Sequence, residues 1–160
     1  MKFHHESTFQ ASLDDVRAML REPAFWDRVA KATGALSSTT TITESADATE
    51  VVTDEEQKVV GVPGFAKKFV GDSTRAIKTL RWTGDTASFV VETPGKPTSL
   101  SGTARLASTG GATTLRYDLE VKASVPLVGG KLEKLVADLT VDGFGKEEAA
   151  AQAWLTGGQA

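Results

Sequence analysis

Residues 126–155 read PLVGGKLEKLVADLTVDGFGKEEAAAQAWL, and the rest of the chain is organised around this stretch. At about 1.5 Å per residue, a helix of this length would run on the order of 40 Å, long enough to cross a domain. Its apolar residues recur at the spacing of an amphipathic helix, namely Val128, Leu132, Leu135, Val136, Leu139, Ala150, Ala153 and Trp154. We therefore predict one long C-terminal helix with a buried face.

Gly143 falls within this apolar face, at a position where a large side chain is expected. Glycine inside a helix costs about 1 kcal/mol relative to alanine. Two interpretations follow: Gly143 and Gly145 mark a kink, or Gly143 leaves space for another group. Leu139 lies one turn earlier on the same face, so Leu139 and Gly143 are both candidates to line a cavity.

The composition is that of an ordinary globular protein, with 40% hydrophobic and 24% charged residues among 160. A chain of this length can bury a substantial core, and we predict a single domain over residues 1–156 with a frayed end at 157–160. The net charge of −3 argues against a nucleic-acid partner, which calls for a basic face. The absence of cysteine excludes a disulfide framework and a cysteine-ligated zinc site.

Targeting and catalytic motifs are also missing from the sequence. The first ten residues, MKFHHESTFQ, lack the apolar core of a signal peptide, and no run approaches the roughly 18 apolar residues of a membrane span. We therefore expect a cytoplasmic protein without a membrane span. No Gly-x-Ser-x-Gly or His-x-x-x-His motif occurs, so the sequence predicts no cofactor and no metal. The oligomeric state stays open.

Before the long helix, the periodicity changes from helical to strand-like. A first strand at 3–10 leads into a short helix capped by Ser12, and a second short helix begins at Pro23. Turn signals then separate six predicted strands, at 36–45, 50–60, 73–82, 87–92, 98–107 and 113–125. Strands joined by short turns pair antiparallel, and such a sheet must cover one face. The fold class is therefore α+β, with about seven antiparallel strands wrapped around the C-terminal helix.

One segment, residues 62–70, interrupts this succession of strands. Phe65 and Phe69 lie four residues apart, which is typical of a short helix or a lid. Gly61 and Gly71 flank the segment and could let it move as a gate. Phe65 and Phe69 are therefore candidate ligand-binding residues.

With this order of elements, the chain resembles the START-related (SRPBCC, helix-grip) superfamily, which includes pollen-allergen-like proteins, polyketide cyclases and lipid-transfer domains. The resemblance covers nearly the whole chain and is carried by the strand and capped helix at 9–20, the PAFW segment at 23–26 and the PLVGGKLEKLV segment at 126–136. The chain looks similar to a branch of unknown function with a Pro-Gly-Phe insertion, here at 63–65. The resemblance implies a cavity between sheet and helix that holds an apolar or amphipathic small molecule.

Four residues outside the helix and the insertion are further cavity candidates. His5 shares a strand face with Phe3 and could serve as a hydrogen-bonding group or a base, although a merely buried, hydrogen-bonded histidine is the commoner situation. The remaining candidates are Tyr117 on the inward face of the last strand, Thr103, and Trp82 before a Gly-Asp turn. The acidic run 54–56 is interpreted as a solvated strand face, and the sequence offers no defensible inward carboxylate.

Three functions remain open from the sequence. The first is binding or carriage of a lipid-like or polyketide-like molecule in an apolar cavity. The second is a cyclase or dehydratase on the same cavity, with His5 or Tyr117 as the acid–base group. The third is a packed interaction domain without a ligand. We rank binding first, and the sequence leans away from an enzyme.

Overall fold

The computed structural model describes residues 1–157, so the predicted frayed end lies, apart from Gly157, outside the described residues. Seven strands and four helices follow one another along the chain. The strands are β1 (Lys2–Phe9), β2 (Ser37–Glu44), β3 (Thr49–Lys58), β4 (Ser73–Thr83), β5 (Thr86–Glu92), β6 (Thr98–Thr109) and β7 (Ala112–Ala123). The helices are α1 (Leu13–Leu20), α2 (Pro23–Ala32), α3 (Gly64–Val70) and α4 (Gly129–Leu155). The predicted α+β architecture and order of elements are confirmed.

The strands form one antiparallel sheet in the order β1-β7-β6-β5-β4-β3-β2. Strands β2 to β7 pair with their sequence neighbours as a meander, and β1 adds to β7, with His5 opposite Tyr117. Alternation along β7 points Leu115, Tyr117, Leu119 and Val121 toward the helices, as the sequence predicts. The sheet therefore has one face covered by helices and one exposed to solvent.

A glycine in β6 allows two central strands to approach closely. A Cβ placed on Gly102 would lie 2.0 Å from the carbonyl oxygen of Asp118 and 2.8 Å from the Cα of Leu119. No side chain fits at such distances, so only glycine is compatible with this packing of β6 against β7.

The core is densest where α1, α2 and the end of α4 meet the sheet. Trp26 of α2 is buried and its indole nitrogen donates a hydrogen bond to the carbonyl of Leu20, 2.9 Å away. Phe25 packs edge-on against Trp26 and against Trp154 of α4, with ring centroids 5.0 Å and 5.9 Å apart. Edge-to-face aromatic pairs of this kind each add about 0.5–1.5 kcal/mol beyond the area they bury. This end of the molecule is filled by its own side chains.

A carboxylate fixes the start of α4 on the sheet. Glu133 accepts a hydrogen bond from the backbone nitrogen of Ala123 at the end of β7, 3.0 Å away, and its other oxygen lies 3.4 Å from the amino group of Met1. The backbone hydrogen bond is the main reason that the pKa of Glu133 is lowered. These contacts hold the N-terminal half of α4 over β1 and β7.

The buried face of α4 differs from the predicted one. Leu139 is 50% exposed and Ala153 is exposed. Leu132 and Trp154 of the predicted face are buried, and the other buried residues of the helix are Ala137, Phe144, Glu147 and Ala151. From Phe144 to Trp154 the buried residues recur at a three- and four-residue spacing. The prediction failed here because it took the helical phase from apolar residues alone, whereas a carboxylate occupies one position of the buried face.

Candidate functional site

A cavity of about 500 Å³ lies between the sheet, α3 and the middle of α4. Its walls come from the ends of β3 to β6, from the segment between β3 and β4, and from successive turns of α4. Apolar atoms provide most of the wall surface, and the aliphatic side chains on it are Val59, Val60, Val62, Val70, Ala76, Val91, Leu100, Leu135, Val136 and Leu139. This volume falls within the roughly 300–1,000 Å³ of small-molecule sites.

The cavity exists because the residues facing one another across it are small. The sheet side carries Ala76, Thr74, Thr93 and Thr98, and the helix side carries Gly143. A Cβ placed on Gly143 would meet no atom within 4 Å, and α4 stays helical through this position. Of the two interpretations of Gly143, the structure therefore favours the one in which it leaves space.

The aromatic cluster that fills the middle of the core lies beyond the cavity. The ring of Phe144 stacks on that of Tyr117, with centroids 4.1 Å apart and planes 2° from parallel. Phe89 packs edge-on against both rings, at 5.6 Å and 6.1 Å. Phe89 lies two residues before the wall residue Val91, and Phe144 comes directly after the wall residue Gly143. The cluster therefore separates the hollow end from the filled end.

Behind the aromatic cluster, a carboxyl group is buried in the core. Glu147 of α4 is 6% exposed, and Tyr117 donates a hydrogen bond to it, 3.1 Å from Oε1. Burial raises the pKa of Glu147, because it disfavours the charged form more than its surroundings favour it. Burial, and then the nearby carboxyl, also raise the pKa of Tyr117 well above its ordinary value. The surroundings therefore favour the protonated form of both groups.

Titratable groups on three strands act on Glu147. Lys78 of β4 and His5 of β1 favour its ionised form, whereas Glu55 of β3 opposes it. Lys78 points toward the helices, with its ammonium 4.3 Å from the ring centroid of Trp26. A cation over an aromatic face in the interior is stabilised by roughly 1–2 kcal/mol. The inward lysine was not identified from the sequence.

His5 lies at the edge of this cluster, without the geometry of a nucleophilic site. Its Nε2 is 3.2 Å from the hydroxyl of Ser7 and 4.0 Å from a carboxylate oxygen of Glu148. A serine–histidine–acid relay needs the two partners on opposite ring nitrogens, whereas here both lie near the same nitrogen. His5 also packs against Phe144, with ring centroids 5.5 Å apart. It is a half-buried histidine with hydrogen-bonding neighbours.

Of the eight candidate residues named from the sequence, the structure places Leu139 and Gly143 on the cavity wall. Contrary to expectation, Thr103 is exposed on the outer face of β6, because alternation turns it away from the helices. Trp82 is 6% exposed in the core rather than at a cavity mouth, and its indole nitrogen has no hydrogen-bond partner among the described residues.

The other four candidates lie near the cavity without forming its wall. Phe65 and Phe69 are half-buried on α3, whereas Val62 before this helix and Val70 at its end line the cavity. His5 and Tyr117 belong to the cluster around Glu147, described above. The predicted short helix in the insertion is confirmed as α3.

The acidic run in β3 is divided between the two faces of the sheet. Asp54 forms an exposed ion pair with Arg75, which lowers the pKa of the carboxyl. Glu55 instead lines the cavity, where it accepts a hydrogen bond from the side chain of Gln57, 3.1 Å away. Alternation predicts this division of the run, but the expectations that the run is solvated and that no carboxylate points inward are wrong, for Glu55 and for Glu147.

Within residues 1–157, no three histidine or acidic side chains come together as a metal site, and no helix is long and apolar enough to cross a membrane. The polar part of the cavity wall consists instead of hydroxyls, one amide, two carboxylates and three lysines, Lys58, Lys96 and Lys146.

A family model described as "Protein of unknown function (DUF2505)" matches residues 4–155. No curated protein matches the sequence. Among solved structures, a START superfamily protein from Mycobacterium smegmatis is 12% identical over 97% of each chain, with a TM-score of 0.60. A STAR-related lipid transfer protein from Xanthomonas axonopodis is 17% identical over 97% of this chain and 85% of its own, with a TM-score of 0.58.

Norcoclaurine synthase from Thalictrum flavum is also similar, at 15% identity over 98% of this chain and 87% of its own, with a TM-score of 0.59. The resemblance to the START-related superfamily is thereby confirmed. At these identities the likeness extends to the fold alone, and one fold of this kind is shared by proteins with different functions.

Proposed function

The chain belongs to the DUF2505 family, and we propose that it binds or carries a hydrophobic or amphipathic small molecule, lipid-like or polyketide-like, in the cavity between the sheet and α4. The observation that carries this proposal is the hollow of about 500 Å³ in a domain whose other half is filled by aromatic side chains. The hollow is partly open to solvent, so its aliphatic wall stays in contact with water unless an apolar molecule covers it.

The composition of the wall favours an apolar ligand. Ten aliphatic side chains line the hollow. An apolar ligand that removes their surface from water gains about 25 cal/mol of binding free energy per Å² of apolar surface buried. Polar side chains are at least as numerous on the wall as aliphatic ones, but apolar atoms provide most of its surface. Such a wall suits a molecule with a long apolar part and a small polar part.

A packed interaction domain without a ligand is less well supported, because it would have no hollow of ligand size. A cyclase or dehydratase reaction through Tyr117 or His5 is not favoured either. Tyr117 is 1% exposed and its hydroxyl hydrogen-bonds to Glu147, and neither Tyr117 nor His5 lies on the cavity wall. The buried acid pair has the features of a structural pair in the core.

A titration with N-phenyl-1-naphthylamine, a neutral apolar fluorophore, tests the proposal. We expect saturable binding to one site per chain, and we expect Gly143→Leu to weaken it at least tenfold by filling the hollow. Gly145→Leu is the matched control, since Gly145 is exposed on the same helix and lies off the cavity wall. No saturable binding by the folded wild-type protein, or equal losses in both variants, would count against the proposal.

A further inference from the structure

The cavity wall contains a half-buried lysine without a carboxylate partner. Lys96 lies in the connection between β5 and β6, and its ammonium is 3.3 Å from the position that a Cβ would take on Gly71, at the end of α3. No carboxylate of residues 1–157 forms an ion pair with Lys96. A cation removed from water is stable when an anion or several hydrogen-bond acceptors compensate it.

The two carboxylates on the wall have other partners. Asp142 pairs with Lys146 one turn along α4, at 3.7 Å, and Glu55 accepts a hydrogen bond from Gln57, also on β3. The third lysine of the wall, Lys58, is exposed to solvent. Lys96 therefore supplies the one half-buried positive charge of the described wall that no anion neutralises.

Hydroxyl groups lie on the same part of the wall as Lys96. Thr93 and Thr98 face the cavity and contact each other, with their hydroxyl oxygens 3.2 Å apart. Thr93 also donates to the carbonyl of Thr98, and Lys96 is held in place by a hydrogen bond from its own backbone nitrogen to the carbonyl of Thr93, 3.0 Å long. An ammonium and the hydroxyl proton of Thr98 on the same wall suit a negatively charged oxygen group.

We propose that the molecule bound in the cavity is an amphiphile with an anionic oxygen head group, which Lys96 binds while the aliphatic wall encloses its tail. The proposal rests on the proposed function and narrows its ligand to carboxylates and phosphate monoesters with an apolar chain. The head group completes the ion pair that Lys96 lacks, and the tail extends toward Val91, Leu100 and Val136.

Displacement of bound N-phenyl-1-naphthylamine by four compounds of one chain length tests this inference: dodecanoate, dodecyl phosphate, dodecanol and dodecylamine. We expect the two anions to compete at least tenfold better than dodecanol, with dodecylamine weakest. Lys96→Gln should remove the advantage of the anions and leave dodecanol unchanged, and Lys96→Arg should keep most of it. Lys131→Gln is the control, because Lys131 is an exposed lysine outside the cavity wall.

Each outcome of this experiment supports or contradicts either the role of Lys96 or the proposed function. An advantage for only one of the two anions identifies the head group as carboxylate or phosphate. Equal competition by dodecanoate and dodecanol in the wild type overturns the role of Lys96 and leaves the proposed function intact. If the Lys96→Gln variant no longer binds the fluorophore and also has a lower melting temperature, Lys96 only holds α3 in place. This result also overturns the inference. No binding of the fluorophore to the wild type would contradict the proposed function instead.

Discussion

Tyr117 donates a hydrogen bond to Glu147 in the core, with its hydroxyl 3.1 Å from one carboxyl oxygen and 3.3 Å from the other. The bond joins the middle of β7 to the second half of α4 and is covered by Phe144, which stacks on the tyrosine ring. The helix is thus positioned on the sheet by a polar contact as well as by apolar packing. The position of α4 in turn determines the distance between Gly143 and the sheet.

Tyr117→Phe should destabilise the protein by about 1–3 kcal/mol, because it leaves the buried carboxyl of Glu147 without its hydrogen-bond donor. Urea denaturation measures the change. Replacing both groups, in Tyr117→Phe with Glu147→Met, should recover most of the loss, since an apolar pair leaves no polar group unsatisfied. A single variant as stable as the wild type would show that the hydrogen bond contributes nothing.

Glu147→Gln should change how stability depends on pH. Burial raises the pKa of Glu147 in the folded chain above its ordinary value of 4.5. At pH values between 4.5 and the folded-state pKa, the unfolded chain has therefore released a proton that the folded chain keeps. Wild-type stability therefore falls as pH rises through this window, by about 1.4 kcal/mol for each pH unit, and levels off above the folded-state pKa.

The glutamine variant lacks this titration. Unfolding free energies measured from pH 4 to pH 8 should therefore show the wild type losing stability relative to Glu147→Gln as pH rises. A difference that stays constant over this range, or that moves in favour of the wild type, would mean that burial does not raise the pKa of Glu147.

Gly102→Ala and Gly143→Ala should have opposite effects on stability. The methyl group added at Gly102 would overlap the carbonyl oxygen of Asp118, so we expect a loss of at least 3 kcal/mol, on the order of a severe core substitution. The methyl group at Gly143 meets open space, and alanine raises helix propensity by about 1 kcal/mol. Thermal unfolding should show a lower melting temperature for the first variant and an equal or higher one for the second.

The helix α3 should open more readily than the other helices. Of its seven residues only Ala66 is buried, and Gly61 and Gly71 on either side have φ angles of 68° and 72°. Hydrogen exchange followed by mass spectrometry should show faster exchange in Gly64–Val70 than in α2, whose aromatic residues anchor it in the core. Slower exchange in α3 after addition of N-phenyl-1-naphthylamine would support its role as a gate, and unchanged exchange in the saturated protein would argue against it.

The order of elements could be predicted because each of them has a local signal. Alternation marked β7, Ser12 marked the start of α1 by accepting a hydrogen bond from the backbone of Asp15, and Pro23 marked the start of α2. These signals depend on neighbours along the chain, so they are visible without the tertiary structure.

The details of the site depend on contacts between elements, which one sequence does not reveal. Glu147 is buried and Lys78 is half-buried, both beside partners on other elements, and hydrophobic periodicity assigns such residues to the surface. A helical phase extended from Ala137 through Phe144 to Trp154 would have passed through Glu147 and was the available signal. For Lys96, which lies in a connection between strands, the sequence carried no signal.

The position of a bound apolar molecule tests the proposed cavity most directly. Nuclear Overhauser effects between N-phenyl-1-naphthylamine and the methyl groups of the protein locate the probe in solution. We expect contacts with Val91, Val136 and Leu139 and none with the methyl groups of Val16 and Val29, at the filled end. Contacts confined to the outer face of the sheet, or a saturated complex with no contact to the first three residues, would contradict a ligand site between the sheet and α4.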